Sequence, residues 1–163
     1  MIHPTAIVYP GVELGVNVEL GPYVVLGSPG EQRGVERPSG RVRVGDYAVF
    51  HEYAHVQSGI HGWTVIGDDF YGMAFSHVAH DCRIGDQVTM STHSTLAGHT
   101  LLEDWVTVGM NATTHQHSHV RLGSMVGAQA FMKGSTGEWE IWAGVPARKL
   151  GVNTVGLERY ADS

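Results

Sequence analysis

The feature that most constrains this chain is a period of six. From Ile66 onward every sixth residue is aliphatic or small without a break: Ile66, Gly72, Val78, Ile84, Met90, Leu96, Leu102, Val108, Thr114, Val120, Val126 and Met132. Four residues after each stands a second inward candidate, nearly always small or β-branched, as in Ser76, Cys82, Val88, Ser94, Thr100 and Ala112. A helix would need apolar residues three to four apart, and that spacing is missing. A six-residue period suits short strands joined by tight turns. Each strand would stack on its equivalent in the next coil as a parallel ladder, with one aliphatic and one small side chain filling a narrow core. The same phase opens the chain at Ile2, Val8, Leu14, Leu20 and Leu26, and it returns at Val44, Phe50 and Val56. At three strands per coil the hexads make about seven coils.

The interruptions define the organisation. Residues 27–41 are polar and rich in Gly, Pro and Arg, which predicts an external loop. A short slip of phase over 57–63 predicts a second loop. The lattice ends after Thr136. The expected layout is a β-helix over 1–137, then a terminal strand and a short capping segment or helix over 138–163.

Bulk numbers exclude several classes. The chain is 42% hydrophobic and 16% charged, so it folds as one globular domain rather than staying disordered. Its net charge of −6 argues against nucleic acid or an anionic membrane as partner. No apolar run reaches the roughly 18 residues of a membrane span, and the start does not read as a signal peptide. The single cysteine, Cys82, permits no internal disulfide and fits a reducing cytoplasm.

Eleven histidines are many for this length, so where they fall matters. The segment His77-Val78-Ala79-His80-Asp81-Cys82 puts two imidazoles, a carboxylate and a thiol in one repeat. A His-Asp dipeptide alone is usually surface decoration. Here, however, Leu96-Ala97-Gly98-His99 and His115-Gln116 follow at intervals of about one coil, roughly 18 residues, so the imidazoles stack at one corner. An imidazole that titrates near neutrality beside an orienting acid is what a general base needs. Cys82 falls on the inward small position and reads as core packing.

These segments, with His3-Pro4-Thr5-Ala6-Ile7-Val8 at the start and Gly151-Val152-Asn153 near the end, resemble the hexapeptide-repeat left-handed parallel β-helix acyltransferases. Within them the order and spacing are similar to the UDP-N-acetylglucosamine acyltransferases of lipid A biosynthesis. The left hand is implied by that resemblance alone. The resemblance implies that His80 is the general base, that Asp81 orients it, and that the Gly98 N–H faces the oxyanion. It makes His77, His99, His115, Gln116, Asn153 and Arg159 substrate contacts, with Arg33 the nearest candidate for a loop cation. It implies no bound cofactor and no metal. The co-substrate is an acyl carrier protein or CoA thioester, the acceptor is a nucleotide-linked sugar, and the assembly is a cytoplasmic homotrimer with Trp63, Trp105, Phe131 and Trp142 as contact area. Val155 and Tyr160 depart from the family's acidic and basic nucleotide contacts, and the family carries a further helical domain after Gly-Val-Asn, which this chain is expected to lack.

Other readings compete. Ala143-Gly144-Val145-Pro146-Ala147-Arg148 is typical of acetyl-CoA-dependent sugar acetyltransferases. A γ-carbonic-anhydrase-like trimer would need a histidine five residues before His80, where Phe75 stands. His51 with His55, or His115, His117 and His119 alternating along one strand, are further possible metal ligands. A non-catalytic trimeric stalk would need no histidine cluster at all.

Overall fold

The structure is a computed structural model that describes residues 1–35 and 40–160. It is a left-handed parallel β-helix of about seven turns closed by a short helix. The strands form three ladders of seven, six and eight members among the described residues, and within the lattice every third strand in sequence is a neighbour in space. Along the first face, Ile7–Val8, Val25–Ser28, His55–Gln57, His77–Val78 and Thr95–Leu96 stack in parallel register. Most strands have only two residues. They persist because a stacked coil above and below supplies their hydrogen bonds and buries their inward side chains.

The core follows the hexads. Val78, Ile84, Met90, Leu96, Leu102, Val108, Val120, Val126 and Met132 are buried, as are their partners Cys82, Val88, Val106 and Ala112. At the N-terminal end Ile2 and Val8 stay exposed although they hold the same phase, because that coil is stacked on one side only.

Most hexads turn through one residue in the left-handed region, three positions after the inward aliphatic: Tyr47 after Val44, Asp69 after Ile66, Asp81 after Val78, His99 after Leu96. The strain of that conformation, about 1–2 kcal/mol for a residue with a Cβ, is offset by a bond between coils. The N–H of the left-handed residue donates to the carbonyl of the preceding turn residue on the neighbouring coil, as in His99 to His80 and His117 to Gly98, both 3.1 Å.

The three corners differ. At one, Asp46, Asp68, Asp86 and Asp104 form a ladder: the N–H of Val16, Asp46, Asp68 and Asp86 each donates to the carboxylate one coil on, at 2.8 Å. The residue before each carboxylate is Gly in three of these coils, since a Cβ on Gly45, Gly67 or Gly85 would lie 2.2 Å from the next Asp oxygen. At the second corner Tyr23, Tyr53, Phe75 and His93 stack ring on ring at 4.7–5.1 Å. The third carries histidines.

Four aromatics expected at a subunit contact find partners within the chain. Arg43 lies 4.6 Å over the ring of Trp63, and Trp105 stacks between Trp139 and Tyr160. Phe131 meets His115 edge-on. Trp142 packs on the core and donates to Glu140. The segment after the lattice is an antiparallel pair, Glu140–Ala143 with Arg148–Val152, followed by the helix Thr154–Tyr160.

Candidate active site

The histidine corner joins the strand His77–Val78 to Arg83–Ile84. Val78 and Cys82 anchor the turn inward, so the two residues at its tip, His80 and Asp81, project from a fixed backbone. Asp81 adopts φ +58°. Its N–H donates to Thr64 Oγ1 at 2.9 Å. The loop before Trp63 turns the N–H groups of Ile60 and His61 onto its carboxylate, at 2.9 and 3.1 Å. Burial works against the charge of Asp81, but those N–H groups and His80 together hold its carboxyl below the ordinary range. His80 Nδ1 lies 2.9 Å from Asp81 Oδ2. Beside an ionised carboxylate Nδ1 carries the proton, so Nε2 keeps its lone pair.

Gly98 sits one coil on, directly under this ring. A Cβ there would lie 2.6 Å from His80 Cε1 and 2.7 Å from Nε2. Only glycine lets the backbone approach that closely. Gly98 is buried, and among the described residues its N–H meets no acceptor. An unpaired buried N–H beside a basic nitrogen is the arrangement an oxyanion site requires.

His99 packs edge-on against His80 at 5.2 Å and stacks on His117 at 4.6 Å and on His61 at 5.9 Å. Burial lowers its pKa, Asp81 opposes this, and the neighbouring imidazoles add to the lowering. The donor atoms of His80, Asp81 and His99 lie within 4.8 Å of one another and could hold a cation, though a metal on His80 Nδ1 would have to displace the bond to Asp81.

The positions that the competing metal reading would use do not converge. Phe75 belongs to the aromatic stack on another corner. His51 pairs with Tyr71 and His55 with Ser28 and His77. His115, His117 and His119 were expected along one strand, but a turn at 116–117 splits them. His117 faces His99, and His119 binds Glu103 at 2.6 Å. Cys82 is fully buried, its thiol donates to the Ala97 carbonyl, and burial pushes its pKa up to about 12. It is no nucleophile at neutral pH.

Of the predicted contacts, His80, Asp81, Gly98 and His99 meet. His115 and Gln116 occupy the same corner one coil further, with His115 Nδ1 against the Gln116 carbonyl. His77 lies on the adjoining face and bonds to His55. Arg33 lines a cavity of about 570 Å³ beneath the loop that follows Ser28. Asn153 and Arg159 are elsewhere. Asn153 caps the C-terminal helix through Oδ1 to the Gly156 N–H and donates to the Gly123 carbonyl. Arg159 lines a cavity of about 280 Å³ with Trp105 and Tyr160, on the aspartate side. Within one chain neither reaches His80. The sequence missed Ser28 and Thr64, and it offered His55 only as a possible metal ligand rather than as the partner of His77. That partnership was findable, because His55 precedes an inward Val as His77 does.

No protein-family model matches the chain. Curated relatives do. The chain is 29% identical to the acyl-[acyl-carrier-protein]–UDP-N-acetylglucosamine O-acyltransferase of Thiobacillus denitrificans, matching over 97% of its own length and 76% of the relative's. To the enzyme of that name from Burkholderia thailandensis it is 32% identical, over 86% of its own length and 55% of the relative's. The UDP-N-acetylglucosamine acyltransferase of Campylobacter jejuni superposes with a TM-score of 0.80 at 26% identity, covering all of this chain and 79% of that one. The Francisella novicida enzyme, at 21% identity, a TM-score of 0.86 and 74% of its chain covered, shares the fold. Hexad lattice, stacked histidine segments and relatives agree, and this chain is a hexapeptide-repeat β-helix acyltransferase similar to the UDP-N-acetylglucosamine acyltransferases.

Proposed function

We propose that this chain moves an acyl group from a carrier thioester to a hydroxyl of a nucleotide-linked sugar, with His80 as general base. The observation that carries the reading is His80 Nε2, left basic by the Asp81 bond and set against the open N–H of Gly98. Nε2 takes the proton of the acceptor hydroxyl as its oxygen attacks the thioester carbonyl. The tetrahedral oxyanion faces the Gly98 N–H. Collapse breaks the C–S bond, and the thiolate takes the proton back from His80. No covalent enzyme intermediate is needed.

Relatives named as O-acyltransferases using acyl carrier protein support oxygen as the acceptor atom and the carrier protein as donor. The Ala143–Arg148 ending keeps an acetyl-CoA donor as the second reading. Because the corner opens outward and Asn153 and Arg159 lie across the solenoid, a cytoplasmic trimer would complete the site, with these two residues reaching the sugar nucleotide bound at a neighbouring subunit's His80.

Mass spectrometry tests this with UDP-N-acetylglucosamine as acceptor and either acetyl-CoA or a mixture of acyl carrier protein thioesters as donor. The expected product is the acceptor plus one acyl group, absent with His80→Ala. The donor that yields it names the carrier. Failure of every donor would sink the reading.

A further inference from the structure

A second set of side chains stands beside the His80 pair, and acyl transfer as described leaves it unused. Ser28 Oγ lies 2.5 Å from His55 Nε2, and His55 Nδ1 lies 3.1 Å from His77 Nδ1. A hydroxyl within reach of an imidazole, with a third group on the far ring nitrogen, has the order nucleophile, base, orienter. His55 and His77 meet because they are register partners on successive coils. Ser28 joins them through a break in the ladder. Gly27 adopts φ +85°, and the register slips there, so that Ser28 rather than Gly27 pairs with Gln57. A bulge of this kind re-aims a side chain. A Cβ on Gly27 would lie 2.4 Å from Val12 Cγ2, so the bulge needs glycine. The Ser28 carbonyl accepts from the Ser58 N–H at 2.8 Å, which fixes the backbone at that point.

Ser28 is half-buried, and with His55 it lines the cavity of about 570 Å³, whose walls also include Tyr9, Glu31 and Arg33. The hydroxyl is therefore open to a bound molecule. Gly30, two residues on, is buried, and its N–H meets no acceptor among the described residues. A buried open N–H near a nucleophile is what a developing oxyanion requires. Burial lowers the pKa of both imidazoles, His55 adds to the lowering at His77, and the charge of Glu31 opposes it at each. Neutral rings let Ser28 O–H donate to His55 Nε2 while His55 Nδ1–H donates to His77 Nδ1. The reverse arrangement fits the same distances, and the reaction needs only that the first be populated.

We infer that Ser28 is a nucleophile activated by His55, with His77 as a positioning residue, and that this cavity hydrolyses carboxylic esters and thioesters. Ser28 Oγ attacks the acyl carbonyl as its proton passes to His55 Nε2, and the oxyanion faces the Gly30 N–H. The C–O or C–S bond then breaks, and the leaving alcohol or thiol takes the proton from His55. Water next attacks the acyl-serine and gives a proton to His55. The bond to Ser28 breaks, and the serine oxygen takes that proton back. The products are a carboxylic acid and an alcohol or thiol. This activity lies beyond the sugar acylation proposed above and does not depend on it.

The test is covalent labelling of the full chain with a fluorophosphonate, located by peptide mass mapping, with the rate of labelling measured in each variant. In wild type the Ser28 oxygen is expected to displace fluoride and carry the phosphonyl group. Ser28→Ala should lose that label, together with the release of p-nitrophenol from p-nitrophenyl acetate. His55→Phe should slow labelling by about 10²–10⁴ at an unchanged melting temperature. His77→Leu should slow it about tenfold, the worth of one hydrogen bond. His77→Asn, whose amide oxygen can accept the same N–H, should restore it. His80→Ala keeps the Cβ that packs on Gly30 and should label at the wild-type rate. A Ser28 left unlabelled in wild type, labelled as fast in His55→Phe, or labelled only when His80 is present would overturn the inference, whether or not a sugar nucleotide is acylated.

Discussion

At the aspartate corner the first of the two turn-tip residues is Asp46, Asp68, Asp86 or Asp104; at the histidine corner it is His80, Gly98 or Gln116. The backbone is the same at both, with a left-handed residue next and the same bond between coils. At the first corner the carboxylates close one tip N–H after another. At the second the carboxylate has moved one residue on, to Asp81. From there it cannot cap the tip N–H one coil away. It accepts instead from the Ile60 and His61 N–H groups and holds His80. The Gly98 N–H is left open for a second reason: a ladder acceptor comes from the following coil, and there Gln116 stands in place of an aspartate. A carboxylate shifted one residue on beside His80, and Gln116 in place of an aspartate on the coil after Gly98, separate a structural ladder from a site with a base and an oxyanion donor.

The largest test of this contrast is His80→Ala, expected to lower the transfer rate by about 10²–10⁴ with the thermal midpoint unchanged. Steady-state rates beside a melting curve check both halves. Gly98→Ala comes next. Its Cβ falls within 2.6 Å of the imidazole, so the ring must leave Asp81 or the turn must shift. A fall in kcat of about 10²–10³ is expected, the scale of a lost oxyanion donor, at little cost to folding.

Asp81→Asn should cost about 10² in rate, because an amide can turn its N–H to Nδ1 and hold the wrong tautomer. It also carries a pH signature. The wild-type carboxyl titrates below its ordinary value, so it stabilises the fold above about pH 4, and that stability fades as pH falls through the lowered pKa. In Asp81→Asn the acid-side decline in melting temperature should be shallower. The smallest effect belongs to the other corner. Asp68→Asn weakens one rung of the ladder and should cost about 1 kcal/mol, read as a few degrees in midpoint, with the transfer rate intact. Loss of activity there would erase the distinction between the corners.

Much of this was legible in the sequence. The hexads from Ile66 to Met132 gave the inward residues, and the coil-length spacing of His80, Gly98 and His115 gave one corner. What the sequence hid lies next to the loops. The four-residue excess between His55 and His77, relative to a coil, masks their shared register. The loop after Ser28 returns to pack Gly30 on His80, and the loop around Ile60 supplies the N–H groups that hold Asp81. Long-range loop packing leaves no periodic trace. His115, His117 and His119 misled for the opposite reason: two-residue alternation implies a shared face only on a continuous strand, and a turn intervenes.

The central claim, that a histidine held by the carboxylate one residue on makes the base, is tested most directly by exchanging the two residues in place, His80→Asp with Asp81→His. Histidine is tolerated in the left-handed position, as His99 and His117 show, so the coil should fold. The measurement is the transfer rate of this double variant beside its melting temperature. The account predicts a stable protein, with its corner turned into another rung of the ladder, and a rate no higher than that of His80→Ala. A folded double variant that transfers at the wild-type rate would contradict it.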